Sequence, residues 1–166
     1  RVADLLSRMT LEEKAAQMIA ADKEVKDSVF ISENGEFTFG DIKGAFPLGV
    51  GQVTRLTETR GGQSQTSREE EKALTPYENA ALSNKLQKYF MEETRLGIPV
   101  IFHEECLHGL VASHATSFPH PIALAGTFNR KLVEEVYSTI AKETRLRGGH
   151  QALTPVVDIA RDARWG

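Results

Sequence analysis

Residues Arg95–Gly109, RLGIPVIFHEECLHG, decide how this chain folds. A short apolar run, Ile98–Phe102, is entered through Gly97 and Pro99 and gives way at once to His103, Glu104, Glu105, Cys106 and His108. A buried strand that discharges into acids and imidazoles is how an α/β protein presents polar groups at the carboxyl end of its sheet. His103–Gly109 is therefore the expected floor of a site.

Working outward, the rest of the chain supplies alternating strands and helices. Val2–Met9 reads as a short helix with Val2, Leu5, Leu6 and Met9 on one face. Thr10-Leu11-Glu12-Glu13 is a capping box that starts a second helix, expected to run to about Ala20 with Leu11, Ala15, Met18 and Ile19 on one side. Asn34-Gly35, flanked by Val29–Ile31 and Phe37–Phe39, is a hairpin signal. Leu48–Val53 is short and glycine-punctuated, which predicts a strand closely approached by another backbone. Glu58–Lys72 has the composition of an exposed loop, and its run Arg68–Lys72 that of solvated charge. Thr75-Pro76 opens the best helix, with Leu82, Leu86, Tyr89, Phe90 and Leu96 as its buried face and Gly97 as its stop. After the Ile98–Phe102 strand a long loop leads to Pro121. Asn129 caps a helix over Arg130–Arg147, with Leu132, Val133, Val136, Tyr137 and Ile140 inward, ending at Gly148-Gly149. Ala152–Ile159 is the next strand, interrupted by Pro155. From Leu48 the order is strand, helix, strand, helix, strand, which predicts an α/β fold of parallel βα units.

Composition narrows the function. With 166 residues the chain is long enough for one domain with a real core. A net charge of −3 gives no electrostatic reason to expect nucleic acid or an anionic membrane as partner. No apolar run approaches the roughly 20 residues of a membrane span. The lone Cys106 excludes an internal disulfide framework. The chain opens on Arg1 rather than Met, and the expectation is a processed or trimmed polypeptide whose targeting segment has been removed.

The second strand also ends in charge. In Val156–Gly166, VVDIARDARWG, the residues Asp158, Arg161, Asp162 and Arg164 follow the apolar run. Parallel strands put their following loops at the same end, so this stretch and His103–Gly109 should meet. Arg161 suits bidentate contact with ligand hydroxyls or a carboxylate. The alternative is that Asp158, Arg161 and Asp162 form an ion network that only holds the loop. Trp165 offers either a stacking face for a sugar or a wedge for the loop, and the wedge is preferred.

Four segments, RVADLLSRMTLEEKAAQM, RLGIPVIFHEECLHG, HATSFPHPIALAGTFN and HQALTPVVDIARDARWG, together resemble consecutive signatures of the N-terminal domain of glycoside hydrolase family 3, in the family's order. The resemblance covers nearly the whole chain, Ala21–Ala73 least. It implies a partial (β/α)8 TIM-barrel-like domain with parallel strands over residues 1–166. It further implies part of an exo-acting retaining β-glycosidase, a β-glucosidase or β-xylosidase, acting on terminal β-linked sugars of an oligosaccharide or β-glycoside. Glu105 matches the acid of the family's acid-x-x-His-Gly motif, which accepts hydrogen bonds from hydroxyls of the non-reducing-end sugar. Arg161 matches the first arginine of the RDPRWGR motif, which contacts the same sugar. Glu104, His108 and Asp162 are supporting candidates, with His108 orienting the loop. Ala163 stands where the family motif has proline. The nucleophile and acid/base are expected beyond residue 166, so no residue of this chain is assigned either role. A complete barrel takes about 250 residues, so three or four of its eight units are expected here, with the remainder of the same enzyme closing the barrel. The fragment alone is expected to be inactive. No cofactor is required by carboxylate-based hydrolysis. By analogy with the family, the protein is expected to be periplasmic or secreted.

Rival chemistries are weaker. His103 and His108 are spaced His-x4-His, whereas the zincin motif needs His-x3-His on one helical face, so no metal is expected. Cys106 beside two imidazoles suggests a thiol nucleophile, but free cysteine is more commonly packed. A non-catalytic carbohydrate-binding or scaffold fragment that keeps Glu105 and Arg161 fits the chain as well as catalysis does. His114 and His120 are read as structural, and His150 as a satisfied, half-buried imidazole.

Overall fold

A computed structural model describes residues 1–22, 42–57, 74–157, 159, 161 and 162 of the chain. Its centre is a four-stranded sheet of β1 (Ala20–Asp22), β2 (Gln52–Thr54), β3 (Ile101–Glu104) and β4 (Gln151–Ala152), in the order β1-β2-β3-β4. Every neighbouring pair is parallel. Spatial order equal to chain order means that each connection steps the same way around the sheet. That is the winding of a (β/α)8 barrel, without the reversal that defines a doubly wound sheet. The helices are α1 (Val2–Arg8), α2 (Leu11–Ala16), α3 (Ile42–Ala45), α4 (Pro76–Glu92), α5 (Pro121–Ala125) and α6 (Arg130–Leu146).

Two cores hold the helices to the sheet. Leu82, Leu86, Tyr89 and Phe90 of α4 pack on Val53 and Phe102 of the strands and on Ile42, Val50, Leu56 and Val100. Val136 and Ile140 of α6 pack with Leu124 of α5 and with Cys106 and Leu110 of the loop after β3. The expected caps are present. Thr75 accepts from the Glu78 amide and Glu78 from the Thr75 amide, and Asn129 Oδ1 accepts from the Leu132 amide.

Several element boundaries differ from the sequence expectation. The strand read over Leu48–Val53 is β2, Gln52–Thr54, and the helix opened by Thr75 ends at Glu92 rather than at Gly97, which leaves Leu96 outside it. The helix begun by Thr10 has its capping box but stops at Ala16, and Ala20–Asp22 is a strand instead. The Gly51 amide donates to Ala16 O and the Gln52 amide to Ile19 O, so pairing with β2 takes the chain out of the helix. A Cβ on Gly51 would lie 2.0 Å from Gln17 O, which is the close backbone approach its glycine predicted. The apolar stripe was misleading there, because Leu11, Met18 and Ile19 are exposed. Likewise Val2 and Leu6 of α1 are exposed, with only Leu5 and Met9 half-buried.

The strand read as Ile98–Phe102 is β3, Ile101–Glu104, shifted so that His103 and Glu104 lie inside it. The Gln87 side chain has already taken both main-chain groups of Val100, accepting from its amide at 3.0 Å and donating to its carbonyl at 2.6 Å. The strand expected over Ala152–Ile159 is cut to Gln151–Ala152, since Pro155 offers no donor to a ladder, and Val156, Val157 and Ile159 are exposed. Short α5 was not foreseen. The hairpin at Asn34-Gly35 and the loop Glu58–Lys72 fall outside the described residues.

The N-terminal helices are fastened by an ion pair between residues 82 apart in the chain. Glu13, the buried member of the Thr10 capping box, also accepts from both Arg95 Nε and Nη2, and Arg95 Nη2 donates to Arg8 O at 2.8 Å. The Arg95 guanidinium first, and then the Thr10 amide, hold the Glu13 carboxyl down at about 2.

Candidate active site at the carboxyl end of the sheet

Alternation along β3 sorts its polar side chains onto two faces. Phe102 points to the helix layer, and so does Glu104, two residues on. Glu104 is 1% exposed, and its carboxylate accepts the Thr57 amide at 3.1 and 3.4 Å, tying the end of β2 to the end of β3. Such charge-assisted bonds to a main-chain amide are among the stronger ones a protein makes. His103 lies on the opposite face, where its Nδ1 is 2.6 Å from Gln52 Oε1 of β2.

Glu105 is the first residue past β3 and is half-buried. Its carboxylate has no hydrogen-bond partner among the described residues, in contrast with Glu104. The loop that carries it is nevertheless pinned. The Val111 amide donates to Glu105 O at 3.0 Å, and the Phe118 amide to His108 O at 2.7 Å. The His108 ring packs against the His120 ring, with centroids 4.4 Å apart. Gly109 has φ of +123°, and a Cβ there would lie 2.3 Å from Thr116 O, so only glycine fits.

Cys106 lies behind this loop, fully buried, with Sγ 3.3 Å from Thr144 Oγ1. Burial pushes its thiol up, against the effect of the Thr144 contact. That is an inert environment and removes the thiol-nucleophile rival. His103 and His108 have different neighbours, and no group of three metal-binding side chains forms among the described residues. His114 carries a positive φ of 58° and offers its carbonyl to Arg147, while His120 occupies the N-cap position of α5 without a side-chain cap bond and packs its ring on His108. His150 is satisfied, accepting the Phe102 amide on Nδ1 at 3.0 Å and stacking on the Phe102 ring, although it is more exposed than expected. Partial burial first, and Arg145 second, lower its pKa.

Arg161 and Asp162 follow β4 and are exposed. No ion pair joins Arg161 to Glu105 among the described residues. Asp158, Ala163, Arg164 and Trp165 lie outside the described residues, and with them the ion network and the wedge. Sequence reasoning missed Glu143 and Arg147. The one available signal was an arginine directly before Gly148-Gly149, which reads more simply as a cation at a helix end.

Parallel strands in chain order, with carboxylates and imidazoles gathered where they end, define a segment of an α/β barrel whose site sits at the carboxyl face. Residues 10–166 match the glycosyl hydrolase family 3 N terminal domain, and the chain belongs to that family. It is 33% identical to a putative β-xylosidase of Formosa agariphila across 100% of this chain and 20% of that protein. It is 30% identical to a periplasmic β-glucosidase/β-xylosidase of Dickeya chrysanthemi across 99% of this chain and 24% of that protein. Among solved structures, a β-glucosidase from Erythrobacter marinus superposes with a TM-score of 0.73 at 31% identity, over 98% of this chain and 19% of that one. The chain thus spans about a fifth to a quarter of the length of these relatives. No helix among the described residues is long and apolar enough to cross a membrane.

Proposed function

We propose that the protein is an exo-acting retaining β-glycosidase of the β-glucosidase or β-xylosidase type, and that residues 1–166 are the N-terminal part of its (β/α)8 domain. The observation that carries this reading is the Glu105 carboxylate, which has no hydrogen-bond partner among the described residues and sits on a pinned loop at the carboxyl end of β3. An ionised carboxylate there accepts two sugar hydroxyls in short, charge-assisted bonds, and so fixes the terminal sugar. Arg161, after the neighbouring strand, donates to the same sugar. Glu104 works from behind, holding the Thr57 amide and with it the loop after β2. His108 keeps the Glu105 loop in place through Phe118 and His120. Asp162 supports Arg161.

These residues bind and orient the sugar ring. Retaining hydrolysis also needs a nucleophile and an acid/base about 5–5.5 Å apart, and neither role is assigned to this chain. The substrate is a β-glycoside or oligosaccharide, and the site of action is the periplasm or the cell exterior, in keeping with the periplasmic relative.

The test is hydrolysis of aryl β-D-glucosides and β-D-xylosides by the protein at its natural length, with NMR detection of the first sugar anomer released. Release of the β-anomer is expected. Release of the α-anomer, or no turnover of either glycoside, contradicts the proposal.

A further inference from the structure

One helix touches the loop that carries Glu105 at every stage of its course. Tyr137, Ile140, Thr144 and Arg147 recur along α6 and its C-cap at helical spacing, so they form one stripe. Ile140 is core, but the other members make polar contacts to the loop after β3. Tyr137 Oη donates to Leu107 O at 3.0 Å, within the acid-x-x-His-Gly motif itself. Thr144 Oγ1 meets Cys106 Sγ. Arg147 donates through Nη1 to Ser113 O and through Nη2 to His114 O, both at 2.7 Å. Glu143, 3.9 Å from Arg147, accepts the Thr116 amide at 3.1 and 3.3 Å.

Arg147 is 3% exposed. A guanidinium is costly to remove from water, and burial accordingly lowers its pKa. Simple attachment of α6 to the sheet does not require that cost, because Val136 and Ile140 already provide apolar packing. What the cation does is hold two consecutive carbonyls of the loop in one place.

We propose that Tyr137, Glu143 and Arg147 are positioning residues that fix the Glu105 carboxylate for sugar recognition, an inference that rests on the reading of Glu105 given above. They touch no sugar themselves. They hold Leu107, Ser113, His114 and Thr116, and through these the geometry of Glu105 and His108. A helix on the outside of the sheet therefore sets the precision of a subsite at its end, since a displacement of about 1 Å at a positioned group is enough to weaken catalysis markedly.

The experiment uses Tyr137→Phe and Glu143→Gln in the protein at its natural length, because Arg147 is too buried for its removal to be separated from misfolding. Tyr137→Phe keeps the packing of the ring and loses the bond to Leu107 O, and Glu143→Gln keeps the size of the side chain and removes the charge that faces Arg147. KM for an aryl β-glycoside, and the inhibition constant of free D-glucose or D-xylose, are expected to rise roughly three- to tenfold in Tyr137→Phe, with kcat changed less than twofold and the thermal midpoint lowered by no more than a few degrees. Hydrogen exchange at the Val111 and Phe118 amides, which bond to Glu105 O and His108 O, is expected to quicken by a similar factor. Wild-type KM and wild-type exchange in both variants overturn the inference. If the unaltered protein turns over no β-glycoside, the functional reading falls instead, while the exchange rates still decide whether α6 braces the loop.

Discussion

Gly109→Ala should be among the most damaging small substitutions in this chain, and the structure allows its cost to be worked out. The φ of +123° at Gly109 is a conformation that an L side chain rarely adopts. Holding alanine in such a region costs on the order of 1–3 kcal/mol. The new Cβ would also lie 2.3 Å from Thr116 O and 3.3 Å from Ser117 Cα, both main-chain positions. Relief to ordinary contact requires the Thr116 carbonyl to move by about an ångström, a displacement that overpacking data put at roughly 1–3 kcal/mol. That movement also breaks the Phe118–His108 hydrogen bond, about 1 kcal/mol more. The sum, about 3–7 kcal/mol, is a large share of the 5–15 kcal/mol typical of a folded domain. Gly44→Ala is the internal control. Nothing lies within 4 Å of its Cβ, it sits in α3, and alanine there should be neutral or stabilising by up to about 1 kcal/mol. Urea unfolding of both variants, read with KM for an aryl β-glycoside, provides the assay. A Gly109→Ala protein within 0.5 kcal/mol of wild type, with KM unchanged, would refute the reasoning about this loop.

Two further outcomes follow from charge and burial. Glu13 has its folded pKa lowered from 4.5 to about 2, so its contribution to stability is present above pH 4.5 and is lost as pH falls from there toward 2. Urea midpoints measured down that range should fall more steeply for wild type than for Glu13→Gln, and parallel curves would rule out the Arg95 pair as the cause. Cys106, buried with a raised thiol pKa, should resist a thiol reagent under native conditions and react on unfolding in urea; prompt native labelling would contradict the packing given it here.

Helix caps could be read because they are local. Thr10 with Glu13, Thr75 with Pro76, and Asn129 each mark a helix start through side chains within three residues of the cap. Strand limits could not be read in the same way, since they are set by distant groups. Gln87 ends the reach of the ladder at Val100, and Gly51 draws Ala20–Asp22 out of a helical pattern. The two glutamates show the same division. Adjacent in sequence and chemically identical, Glu104 and Glu105 are separated by the pleat of β3, which turns one carboxylate into the helix layer and leaves the next at the rim. The proposal for Glu105 rests on its motif, whereas the helix-facing placement of Glu104 depended on where β3 ends. The bracing by Glu143 and Arg147 was invisible because its partners are main-chain carbonyls and an amide, which carry no sequence signature.

The central claim is that Glu105 receives the terminal sugar, and the direct measurement is the steady-state kinetics of Glu105→Gln in the protein at its natural length. Replacing the ionised acceptor by a neutral amide removes charge-assisted bonds worth about 1.5–3 kcal/mol each. kcat/KM for aryl β-glucosides and β-xylosides is therefore expected to fall at least about tenfold, with weaker inhibition by the free sugar and an unchanged thermal midpoint. A variant that keeps wild-type kcat/KM and wild-type sugar inhibition would contradict the account.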